Sequence, residues 1–102
     1  TNFFEAIAVG MLAATRLATK AGILTEPELE NNLTRIFKDL SLPTTIPGLG
    51  VAEIIAAMQL DKKVESGRLR WILPRRVGEV IIVNDLPQAL VAEVLAEMGG
   101  VA

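Results

Sequence analysis

Residues 3 to 21, FFEAIAVGMLAATRLATKA, constrain what this chain can fold into more than any other stretch. Apolar side chains at helical spacing cover most of the circumference as far as Ala14, and only Glu5, Arg16 and Lys20 are charged. A helix that is apolar nearly all round has to be enclosed, by the rest of its own domain or by a surface it has been parted from. Gly10 inside it costs roughly 1 kcal/mol relative to alanine, which points to close packing against another helix. The uncharged run from Ala6 to Thr15 is about half of a bilayer span, and no basic residues precede it, so neither a membrane helix nor a signal peptide is expected. The chain starts at Thr1, with the helical pattern present by Phe3, which reads as an excerpt of something longer.

The rest of the chain supplies the enclosure. Gly22 stands where a C-terminal cap glycine belongs, with Ile23 and Leu24 packing back. A second helix is expected from Thr25 to Leu40, with Thr25 as cap, Glu28 completing a capping box and Pro27 in the first turn. Its stripe is Leu29, Leu33, Ile36, Phe37 and Leu40. SLPTTIPGLG, with two prolines and two glycines, reads as an ordered loop with Leu42, Ile46 and Leu49 turned inward. A third helix follows from Val51 to about Leu60, with Ile54, Ile55 and Met58 inward. RLRWILP and EVIIVND read as two strands either side of a turn, the first ended by Pro74. Alternation places Arg68, Arg70 and Ile72 on one face and Leu69, Trp71 and Leu73 on the other, so Trp71 belongs to the core. A last helix is capped by Asp85, with Pro87 in its first turn and Leu90, Val91, Val94, Leu95 and Met98 as its stripe. The expected fold is mainly α: a compact bundle of about four helices with one small β-hairpin before the last helix, forming a single domain over residues 1–102.

Chemistry is narrowly bounded. The 102 residues contain no histidine and no cysteine, which excludes imidazole bases, thiol nucleophiles and Cys/His metal sites built from this chain alone. Carboxylates, amines, guanidinium groups and hydroxyls remain. Net charge is −2, yet six of the ten cations, Lys62, Lys63, Arg68, Arg70, Arg75 and Arg76, fall within LDKKVESGRLRWILPRRVGE. Such a cluster can hold phosphate or carboxylate. On composition alone it is more often what a solvated hairpin face looks like. Cations after a helix end also favour the helix dipole, which accounts for one lysine of the pair better than for both. The low pI, near 5.1, argues against a nucleic-acid partner. PGLG lacks the strand and spacing of a dinucleotide loop. Glu5, alone in an apolar helix, reads as an exposed first-turn carboxylate rather than a metal ligand.

Several segments, in order, resemble one family. EAIAVGMLAATRLATKAGILT is similar to the helix of 3-dehydroquinate synthases that begins HGEAVAIGM. LSLPTTIPGL resembles their leucine–proline-threonine loop, and AAMQLDKKVESGRLRWILPRRVGEVIIVNDLP their DKK segment, basic strand, turn and closing proline. The resemblance implies a cytosolic shikimate-pathway enzyme that uses NAD and a divalent metal, usually zinc. Such an enzyme cyclises 3-deoxy-D-arabino-heptulosonate 7-phosphate to 3-dehydroquinate with loss of phosphate. It also implies an N-terminal NAD-binding domain, absent here, ahead of a helical C-terminal domain of which this chain would be the greater part.

Two features modify that expectation. The family's metal-ligating His and the Gly after it align with Phe3 and Phe4, so the chain is expected to bind neither metal nor NAD and to be inactive by itself. Lys62 and Lys63 fall where the family has a substrate-binding lysine, with Lys63 the preferred match; no catalytic residue is assigned. The Phe3–Phe4 pair also suggests self-association through a surface the absent domain would cover. Two alternatives stand beside this reading: a domain of a related sugar-phosphate cyclase, and a non-catalytic engineered or interaction module.

Overall fold

The structure of the chain, a computed structural model, describes residues 3–46, 51–58, 70–84 and 86–99, with the backbone alone at 3, 4, 51–53 and 70. Its elements are α1 (Phe3–Lys20), α2 (Leu29–Asp39), α3 (Val51–Ala57), β1 (Arg70–Arg76), β2 (Glu79–Asn84) and α4 (Gln88–Glu97). β1 and β2 form an antiparallel hairpin immediately before α4, as the sequence pattern predicts. Among the described residues no helix is long and apolar enough to cross a membrane.

α1 is the axle. It packs against α2, α3, α4 and β1. From Ala6 to Ala18 only Ile7, Met11 and Arg16 escape full burial. The reason is side-chain size: five alanines and Gly10 in this span let neighbours approach from several directions at once. Against them sit Phe37 of α2, Ile54 of α3, Trp71 and Leu73 of β1, and Val94 and Leu95 of α4. Each large aliphatic side chain fully enclosed in this way contributes about 1.5–3 kcal/mol. Among the described residues Thr15 is the one buried polar residue; its Oγ1 donates to the Met11 carbonyl at 2.7 Å, so the hydroxyl is satisfied within its own helix.

Gly10 marks the closest approach. A Cβ there would lie 2.9 Å from the Ala57 Cβ and 3.3 Å from the Ile54 carbonyl oxygen, which is why α1 tolerates a glycine in mid-helix. The end of α1 is a Schellman motif: Gly22 (φ 76°) donates to the Thr19 carbonyl at 3.1 Å and Ile23 to Ala18 at 2.9 Å. Ile23 and Leu24 then pack on the core, as expected. α2 ends by the same pair of bonds, Ser41 to Lys38 at 3.0 Å and Leu42 to Phe37 at 2.8 Å, but with serine at the left-handed position (φ 60°).

Several sequence expectations change. Thr25 does not cap α2. Its backbone N–H (2.8 Å) and its Oγ1 (2.9 Å) both donate to the Arg75 carbonyl, which latches the α1–α2 loop to the hairpin. α2 therefore begins later, at Leu29, and Glu28 precedes it without a side-chain cap. β1 does not end at Pro74 but runs to Arg76, because a bulge between Pro74 and Arg76 absorbs the missing proline donor and turns the Arg75 carbonyl toward Thr25. Pro87 flanks α4 rather than starting it, its carbonyl accepting from Leu90 and Val91. Ile36 and Leu40 of the expected α2 stripe are exposed, whereas Leu29 and Phe37 are buried and Leu33 is half-buried against the core. Leu49, Leu60 and Asp85 lie outside the described residues, whereas Ile46 is buried and donates to the Met98 carbonyl at 3.0 Å.

Replacing Gly10 by alanine is expected to destabilise the fold by about 1–3 kcal/mol despite the better helix propensity, because the new methyl group meets Ala57. Adding Ala57→Gly should recover part of the loss, read as favourable coupling in a denaturant double-mutant cycle; strict additivity would show that the contact does not matter. Ser41→Gly, by relieving a left-handed serine, should raise the unfolding free energy by about 0.5–1 kcal/mol in the same measurement.

Candidate functional site

The basic stretch divides into parts with different fates. Trp71 is 4% exposed and faces the core beside Leu73, so it offers no stacking surface. Arg75 and Arg76 sit at the exposed tip of the hairpin. Arg76 Nε donates to Glu79 Oε1 at 2.8 Å, and Arg75 lies 3.7 Å from the other oxygen of the same carboxylate. Both guanidinium groups are thus engaged with an acid two turn residues away, as a solvated turn predicts. Glu26 closes the tip from the α1–α2 loop by accepting the Val77 N–H at 3.2 Å. Lys62, Lys63 and Arg68 lie outside the described residues, as do the side chains of Phe3, Phe4 and Arg70. What the structure does place is the pair of anchors around them. Met58, buried at the end of α3, accepts from the Ile72 N–H at 3.0 Å, so the two flanks of the stretch 59–69 meet directly.

No group of acidic side chains among the described residues is arranged to hold a metal ion. Glu5 is half-buried in the first turn of α1 rather than exposed. A second feature is apolar: a cleft of about 190 Å³ bordered by Met11 and Ala14 of α1, Leu33 of α2, Ala57 of α3, and Pro74 and Val80 of the hairpin. No charged side chain among the described residues lines it, and the hydroxyl of Thr15, which borders it, is already bonded to Met11. Its described lining offers neither acid nor base.

The 3-dehydroquinate synthase C-terminal family model matches residues 3–64, a range that contains both Lys62 and Lys63. The 3-dehydroquinate synthase of Symbiobacterium thermophilum is 42% identical over 88 residues, 84% of this chain and 25% of that protein. Those of Synechococcus sp. and Xanthomonas axonopodis pv. citri are both 43% identical, over 92% and 93% of this chain, and each is matched over 26% of its own length. The chain therefore spans about a quarter of the length of the curated relatives it matches.

Sequence reasoning passed over the charges that hold the frame together. Arg16 bonds Glu30 of α2 at 2.7 Å and lies 3.5 Å from Glu97 of α4; Lys20 bonds Glu97 at 2.8 Å and lies 3.7 Å from Glu93. The signal was there in Arg16/Lys20 and Glu93/Glu97, each pair four apart, but their mutual pairing is non-local. The hydrogen bond from Lys20 holds the Glu97 carboxyl below its ordinary value against the opposing effect of burial, and the same bond raises Lys20. Arg16 is raised by its bond to Glu30. Glu97 contributes stability above the ordinary glutamate value of about 4.3 and loses it as pH falls through its lowered value; Lys20 contributes below about 10.4 and loses it as pH rises through its raised value. Glu97→Gln should therefore lower the urea midpoint at neutral pH, and the difference from the unaltered chain should shrink near pH ~3 and in salt of about 1 M. An equal difference at both pH values would show that the ion pairs do not stabilise α4.

Proposed function

The chain belongs to the 3-dehydroquinate synthase family through its C-terminal domain, and from that premise we propose that it is most of the helical domain of such an enzyme, inactive until an N-terminal NAD-binding domain completes it. The observation that carries this reading is the family match over residues 3–64, which runs through α1, α2 and α3 and includes the lysine pair. The whole enzyme would convert 3-deoxy-D-arabino-heptulosonate 7-phosphate to 3-dehydroquinate with loss of phosphate, in the cytosol, as the resemblance implies. NAD and a divalent metal belong to that activity, but the residues of this chain do not fit the metal. Histidine and cysteine are absent, the described acids form no ligand cluster, and phenylalanine stands at position 3, where the family has its histidine. No chemical step is assigned to this chain. Its role is to bind, with Lys62 or Lys63, preferably Lys63, meeting an anionic group of the substrate. The bond between Ile72 and Met58 supports that role, since it secures both flanks of the lysine stretch to the core.

The purified chain should form no dehydroquinate. A chimera in which it replaces the matched segment of the Synechococcus enzyme, with histidine restored by Phe3→His, should turn substrate over. In that chimera Lys63→Met should lower kcat/KM by about 10- to 100-fold, the value of a hydrogen bond to a charged group. Unchanged kinetics for Lys63→Met and Lys62→Met alike would remove the lysines from the site. Turnover by the 102-residue chain alone would overturn the proposal.

A further inference from the structure

The described surface of the domain is not uniform around α1. At about 100° per residue, Lys20 lies roughly 180° from Met11. The flank of α1 with Arg16 and Lys20 is closed by ion pairs to α2 and α4. The flank with Met11 borders the apolar cleft, and the apolar surface continues past its rim. Met11 is 47% exposed, Val80 62% and Ile82 53%. Ile82 belongs to the same face, because it pairs with Ile72, a cleft residue, and follows Val80 by two positions along β2. A contiguous apolar patch of this kind marks an interaction surface rather than scattered surface hydrophobics.

The lining decides what can occupy it. Among the described residues no charged side chain lines the cleft and its one hydroxyl is already bonded, so these residues would leave a phosphate, carboxylate or metal ion without a partner, at a prohibitive desolvation cost. Its volume of about 190 Å³ suits one or two apolar side chains; an engineered cavity of about 150 Å³ takes a benzene-sized group. The curated relatives carry most of their length outside the segment they share with this chain. Ala57 and Ile72 both line the cleft; Ala57 precedes Met58, and Ile72, three residues past the lysine stretch, donates to the Met58 carbonyl. A body seated in the cleft therefore lies against both flanks of that stretch.

We infer that the cleft between Met11, Leu33, Ala57 and Val80 is the seat of an uncharged, apolar ridge on the remainder of the synthase polypeptide, so that the same contact that hides the patch sets that part of the enzyme against both described flanks of the lysine stretch. This rests on the family reading above, and its test separates the two. Met11 is a native reporter: Met58 and Met98 are buried, so of the three methionines it alone meets peroxide in the folded chain. Per-residue oxidation by hydrogen peroxide, read by mass spectrometry, is compared between the 102-residue chain and the Synechococcus chimera. Met11 should oxidise about tenfold more slowly in the chimera, with Met58 and Met98 slow in both. Val80→Lys in the chimera should restore Met11 reactivity, whereas Leu40→Lys, exposed on α2 away from the cleft lining, should not. Equal Met11 reactivity in chain and chimera overturns the inference, and so does a chimera in which Met58 and Met98 also oxidise, because the ridge then does not fit. Protection of Met11 in the isolated chain as its concentration rises would assign the cleft to a second copy and overturn it as well. An active chimera with exposed Met11 keeps the family reading and rejects this face; a folded, inactive chimera with protected Met11 does the reverse.

Discussion

A helix whose apolar surface runs nearly all the way round is stable in water only when other segments enclose it, and α1 imposes that requirement on everything else in the domain. Its alanines and Gly10 keep the cylinder narrow, so α3 can approach to the distance at which a single added methyl would collide with Ala57. The neighbours then supply the bulk that α1 lacks: Phe37, Ile54, Trp71, Leu73 and Val94. This division between a slim centre and a bulky shell lets four elements share one axle in a chain this short.

Polar interactions set where the shell pieces stop. The Schellman bonds after α1 and α2 reverse the chain within two residues and return Ile23 and Leu42 to the core. The bulge at Pro74–Arg76 frees one carbonyl of β1, and Thr25 takes it with both of its donors. Arg16 and Lys20 fasten α2 and α4 to the charged flank of α1, worth little individually at this exposure but consistent in direction. On the opposite flank no ion pair is found among the described residues, and there the apolar cleft lies open.

Much of the candidate site was legible as pattern and little as geometry. Alternation along RLRWILP separates Trp71 and Leu73 from the arginines, and the structure buries both. The tip arginines read as solvated, and Glu79 pairs with them. The cleft was not legible. Met11, Leu33, Ala57 and Val80 come from four elements, and nothing in their local spacing says that they meet. Thr25 misled for a related reason: Thr-x-x-Glu is a valid capping box locally, but a long-range carbonyl competes for the same hydroxyl and wins.

The sequence by itself determined the elements, their order, the buried helix, the glycine ends and the family, because periodicity, capping chemistry and ordered motifs are carried by neighbours in the chain. It also excluded imidazole and thiol chemistry outright, since those groups are absent. Only the tertiary structure decided where α2 begins, that β1 continues past its proline, which acids pair with Arg16 and Lys20, and that a cleft whose described lining is uncharged borders the flanks of the lysine stretch. Each of those depends on which donor, acceptor or methyl group arrives from a distant part of the chain, and local propensity has no information about that.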